Sequence, residues 1–139
     1  MKLIYTLLLV MFLGTSLFSA TETSKQIKLA SDMRAMLNSV TDIQRAGFYN
    51  DKRGVKSAAA KLVLNLDSLL EADAKQYLPD SQVNAGKFAK KRVKMIKMYA
   101  QDLVDSIEQN DFDDAIEDYS QLLRQCTSCH SRIRHRAWR

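Results

Sequence analysis

A chain of 139 residues, 46% hydrophobic and 27% charged, with one proline and four glycines, is long enough for one domain with a core of its own. Its 21 Lys and Arg against 16 Asp and Glu give a net charge of +5, spread along the chain apart from the basic tail Arg132, Arg134, Arg136 and Arg139. Internal repeats and low-complexity tracts are absent. The β-branched alternation that marks half-buried strands is also missing, so the sequence reads as helix almost throughout.

Met1 and Lys2 precede "LIYTLLLVMFLGTSLFSA", an apolar run with small residues near its end. One positive charge, an apolar stretch and a small-residue end follow the order of a secretory leader. The run from Leu3 to Leu13 is short for a membrane span, which needs about 20 apolar residues. Residues 1–20 are therefore expected to be a signal peptide and residues 21–139 the mature domain, exported to a bacterial periplasm without a membrane span. Removal of residues 1–20 takes Lys2 and no acid, leaving 20 Lys and Arg against 16 Asp and Glu, a net of +4. Export excludes nucleic acid as the partner; the basic excess suits an acidic protein or an acidic cofactor.

Four helical segments follow. The first is expected from Thr23 or Ser24, either of which can cap it, to Gly47 as its C-terminal stop. Leu29, Met33, Met36, Val40, Ile43 and Gly47 form its apolar stripe. The second begins at Asn50 or Asp51 and fades by Asp73, with Val55, Ala58, Ala59, Leu62, Leu66, Leu69 and Leu70 turned inward. Leu78-Pro79 stops the chain and Asp80-Ser81 offers a new cap. The third runs from about Ser81 to Gln109 on a seam of Ala89, Val93, Ile96, Ala100, Leu103 and Ile107. The fourth starts at Asp111, places Asp113, Asp114 and Glu117 at its positive end, and reaches about Trp138. The short first and third links predict an all-α, antiparallel up-down-up-down four-helix bundle.

Chemistry concentrates in "RQCTSCHSRIRHR", residues 124–136, which holds both cysteines, Cys126 and Cys129, and both histidines, His130 and His135. The fourth stripe reads Phe112, Ile116, Tyr119, Leu123, Cys126, His130, Ile133, Ala137, so Cys126 and His130 share the core register. A dithiol oxidoreductase wants CxxC at the start of a helix that follows a strand, whereas this motif sits late in a long helix. Structural zinc needs four surrounding ligands, which one helix cannot supply. A disulfide between these cysteines would strain the helix. CxxCH is the spacing of covalent c-type haem attachment, with Cys126 and Cys129 as thioether donors and His130 as the proximal iron ligand.

An antiparallel first helix brings its start level with the end of the fourth. His130 lies about 10 Å from that end, and Met33 is roughly 14 Å into the first helix, at 1.5 Å per residue. Met33 is thus the expected distal ligand, giving His/Met ligation that raises the reduction potential. Met36 sits a turn further on; Met95 and Met98 read as filler and His135 as solvated. Leu29, Leu66, Leu70, Phe88 and Ile133 are the expected haem-walling residues.

With a leader, a bundle and CxxCH in the last helix, the whole mature chain resembles the class II c-type cytochromes, the cytochrome c prime family. Members often continue the motif as CxxCH-x-x-Tyr-Arg; "CTSCHSRIR" keeps Arg134 and puts Ile133 in place of the tyrosine. The resemblance implies one haem c per chain, Arg134 along its proximal side, and Met33 at the distal position of the low-spin electron-transfer branch. The other branch is five-coordinate and binds NO or CO, which makes gas binding the alternative reading. The chain is accordingly not expected to be an enzyme; the partners implied are periplasmic redox proteins, and some family members form homodimers through their first two helices. The arginine often found a turn before the distal position has no counterpart, since Leu29 stands four residues before Met33 and Lys28 five.

Overall fold

The computed structural model of the chain describes residues 28–133. The expected leader, the start of the first helix, Arg134, His135 and the side chain of Ile133 lie outside the described residues. All regular structure among the described residues is helical. Helix α1 takes in residues 28–48. Helix α2 is Lys52–Asn65, the short α3 is Ser68–Glu71, and a 3₁₀ turn follows at Ala74–Gln76. Helices α4, Ala85–Gln109, and α5, Phe112–Ile133, complete the described chain.

Local chemistry sets these boundaries. The Asp51 carboxylate accepts the Gly54 N–H at 3.0 Å and starts α2, and Asp111 accepts the Asp114 N–H at 3.1 Å and starts α5. Three asparagines, Asn50, Asn84 and Asn110, take positive φ of 51°, 57° and 62° and separate the helices. Asparagine tolerates that left-handed region better than other residues with a Cβ. Gly47 was the expected stop of the first helix; α1 instead runs through residue 48, and Asn50 makes the reversal. Likewise α4 begins at Ala85 rather than Ser81, because Gln82 N–H closes a turn on the Pro79 carbonyl at 2.8 Å and Asn84 is left-handed.

The second segment is broken where a continuous helix to Asp73 is expected. The Asn65 side chain donates to the Lys61 carbonyl at 2.8 Å, and the Ser68 hydroxyl donates to the Asn65 carbonyl at 2.9 Å. Such side-chain bonds compete with the helical ladder. The break keeps Leu66 and Leu69 buried but turns Leu70 out to 44% exposure, so Leu70 does not face inward as the periodicity predicts.

Contacts between helices fall in register. Lys56 pairs with Glu108 and Lys52 bonds Asn110, joining the start of α2 to the end of α4, while Asp67 pairs with Lys97 at 3.0 Å. Between α4 and α5, Ser106 donates to Asp118 at 2.9 Å and Arg92 donates to Gln125 at 2.6 Å. The Tyr119 hydroxyl of α5 donates to the Val40 carbonyl of α1 at 3.3 Å. Along α2 and α4, and along α4 and α5, successive pairs ascend one helix as they descend the other. Leu62, Leu66, Leu122 and Val55 fill the centre, and the α4 seam from Ala89 to Ile107 is buried throughout.

The stripe of α5 departs from expectation. Phe112, Ile116 and His130 are exposed and Tyr119, Leu123 and Cys126 only half-buried, while Ala115, Leu122 and Gln125 are the residues buried on that helix, so His130 does not hold the core register that the stripe predicts. Helix α5 lies against α4 on the Ala115–Leu122 side, and its more apolar edge faces clefts along α1. Among the described residues no helix is long and apolar enough to cross a membrane.

Candidate functional site

A largely apolar cleft of about 200 Å³ opens where α1 approaches the late turns of α5. Met33, Met36 and Val40 come to it from α1, Leu62 and Leu66 from α2, Leu69 from α3, and Ala89, Arg92 and Ile96 from α4. Helix α5 contributes Cys126, Cys129 and His130. Four residues give little more than one helical turn, so Cys126 and His130 project from the same side of α5, and Cys129 stands one residue before His130. The cleft therefore gathers two thiols, an imidazole and thioethers from opposite ends of the described chain.

Surroundings differ between the two cysteines. Cys126 is half-buried against the main core, whose members include Met36, Leu66 and Leu122. Cys129 packs on a second cluster of Ala74, Leu78, Ala85 and Ala89, with Tyr77 and Phe88 beside it. Burial pushes the Cys126 thiol up, and the neighbouring Cys129 adds to the rise. Burial also raises Cys129, with the Arg92 and Arg132 guanidiniums pulling the other way. Both are free thiols, protonated at neutral pH. A dithiol oxidoreductase needs the opposite, a lowered thiol pKa at the attacking sulfur. Nor do any three His, Cys, Asp or Glu side chains among the described residues gather closely enough to hold a metal ion.

Of the ten site residues read from the sequence, five line this cleft: Met33, Leu66, Cys126, Cys129 and His130. Leu29 is half-buried against the main core and stands outside the lining. Phe88 also stands outside it, backing Cys129 and lying under two guanidiniums, Arg92 at 4.9 Å and Arg132 at 4.6 Å from its ring centre. Leu70 is excluded as a wall because the break between α2 and α3 turns it toward solvent. Arg134 and the side chain of Ile133 lie outside the described residues. Met95 and Met98 take no part in the lining.

Comparison with protein-family models, curated proteins and solved structures found no match to this chain.

Three lining residues escape a reading by periodicity. Arg92 follows Lys90 and Lys91 and so looks solvated, yet it directly precedes Val93 on the α4 seam and lines the cleft. Gln125 directly precedes Cys126 and is only 5% exposed. Tyr77 lies in the loop after α3, and its hydroxyl donates to the Leu69 carbonyl at 2.7 Å. Adjacency to a seam residue is the signal that could have found the first two.

Burial pushes the Tyr77 hydroxyl from 10.0 up to about 12, with negative charge at Cys129 and Asp73 adding to the rise. Its neutral form is the one the fold favours. The associated stability is complete below the unfolded value of 10.0 and is lost as pH rises toward about 12. Tyr77→Phe is expected to cost about 1 kcal/mol at neutral pH through the lost hydrogen bond. It should also flatten the alkaline fall in stability, read from urea midpoints at about pH 8 and about pH 11. Tyr119, raised by burial and by Cys126, leaves a residual slope.

Proposed function

We propose that this chain is an exported, periplasmic monohaem c-type cytochrome that carries single electrons. It resembles the class II c-type cytochromes, and its helices would form their up-down-up-down bundle. Cys126 and Cys129 would hold one haem c by thioethers, with His130 as proximal and Met33 as distal ligand. The observation that carries this reading is the convergence of both cysteines, His130 and Met33 on one apolar cleft. That donor set, two protonated thiols, an imidazole and a thioether lining one cleft, fits the group chemically.

When bound, haem supplies the redox step, taking up and releasing one electron at its iron. The chain's own residues do the rest. Helix α5 fixes Cys126, Cys129 and His130 at a spacing set by its hydrogen-bonded turns, and α1 carries Met33 to the same space. Leu62, Leu66, Leu69 and Ile96 keep water from the cleft floor, which tunes potential through low polarity. The Lys- and Arg-rich first half of α4 and the basic tail would face an acidic redox partner.

Mass and spectra of the full chain matured in a c-type-competent periplasm test the proposal. The mature chain should gain the mass of one haem, and the oxidised form should be low-spin with a far-red sulfur-to-iron charge-transfer band. A matured chain without added mass overturns the reading. Covalent haem with a high-spin spectrum and ready CO or NO binding would instead select the five-coordinate alternative.

A further inference from the structure

Arg92 is the one charged side chain of α4 that lines the cleft. Its Nη1 donates to the Gln125 side-chain oxygen at 2.6 Å, and Gln125 in turn donates to the Gln121 carbonyl at 3.2 Å. Its guanidinium lies over the Phe88 ring at 4.9 Å. Gln125 is buried and held at both ends of its amide, so the brace it gives Arg92 is a fixed one. Nothing comparable holds the neighbouring Lys90 and Lys91, which are exposed.

Nε of Arg92 is buried and has no hydrogen-bond partner; among the described residues no other buried side-chain nitrogen or oxygen is left in that state. None of the ion pairs among the described residues includes Arg92. A buried cationic donor without an acceptor is costly, and native folds satisfy such groups with a protein, water or ligand atom. A guanidinium presents a planar fork that matches a carboxylate in shape and charge.

We infer that Arg92, braced by Gln125 and Phe88, is the carboxylate anchor of the cleft and binds a propionate of the bound haem. This rests on the haem reading above and adds a residue from α4 to the binding set. A fixed arginine would favour one orientation of the entering group over the other. Arg92 would thereby be a positioning residue for thioether formation, although it makes no covalent bond.

The test uses resonance Raman spectra of the matured chain, read at the propionate bending mode, which follows hydrogen bonding to that carboxylate. Arg92→Gln should shift this mode to the frequency of an unpaired propionate and lower the yield of covalent haem several-fold. Arg92→Lys, which keeps the charge but not the fork, should shift it part of the way. Gln125→Leu, which removes the brace and leaves Arg92 in place, should broaden the mode. An unchanged mode in both Arg92 variants with haem still attached overturns the anchor and leaves the cytochrome reading intact. Absence of covalent haem from the wild-type chain overturns both.

Discussion

The double variant Cys126→Ser/Cys129→Ser is expected to keep its helices and to carry no covalently attached haem after periplasmic maturation. A thiol adds across a vinyl group to give a stable thioether, and a serine hydroxyl does not replace it in that step. Serine is otherwise close in size to cysteine, and in a helix its hydroxyl can bond back to the carbonyl four residues earlier. The cost to folding is therefore small, about 1–3 kcal/mol at most for each new hydroxyl in an apolar setting. Cys126 faces the main core and pays more of this than Cys129. Mass spectrometry of the denatured chain reads the loss of haem, and far-ultraviolet circular dichroism reads the retained helix. Haem mass surviving in the double variant would refute attachment through this motif.

Met33→Ala should convert the oxidised protein from a low-spin to a high-spin spectrum. The far-red band should vanish, and the reduction potential should fall, because a thioether opposite histidine favours the reduced iron. An open distal side should then take up CO. Met36 offers the contrast, since it also lines the cleft but is only 7% exposed and sits inside the main core. Met36→Ala should leave the spectrum alone and cost about 2–5 kcal/mol, as deletions of buried long side chains do. Met33 is half-buried, so its truncation costs less stability and more spectroscopy. If Met36→Ala changed the spectrum and Met33→Ala did not, the ligand assignment would pass to Met36.

Legibility from the sequence varies along the chain. The α4 seam, Ala89, Val93, Ile96, Ala100, Leu103 and Ile107, is legible because a long helix repeats one spacing, and all six residues are buried. Cys126 and His130 both line the cleft from one side of α5, but Cys126 is only half-buried and His130 is exposed, so the shared core register overstates their burial. Leu70 was misread because two local side-chain bonds, from Asn65 and Ser68, interrupt a run whose apolar pattern continues. Phe112 and Ile116 were misread because periodicity gives the direction of a stripe without saying which neighbour covers it. Gly47 drew the helix stop that Asn50 in fact provides. Arg92 was hidden for another reason: a charge within a basic run looks solvated until a neighbouring helix supplies Gln125.

The two-residue link between Gln109 and Phe112 bears on the order in which the molecule comes together. Helices α4 and α5 meet across a tight reversal at Asn110, so closing that pair costs little chain entropy. Met33 reaches the sulfur-bearing helix only after the chain from position 33 to position 126 has been gathered in. The α4–α5 hairpin can thus display both cysteines, His130 and Arg92 while α1 is still undocked. The cleft would stay open on the side that α1 later covers, and Met33 would arrive last, as the closing contact. On that sequence of events the Met33→Ala chain loads as much covalent haem as the wild type, and it fails only at the final ligation.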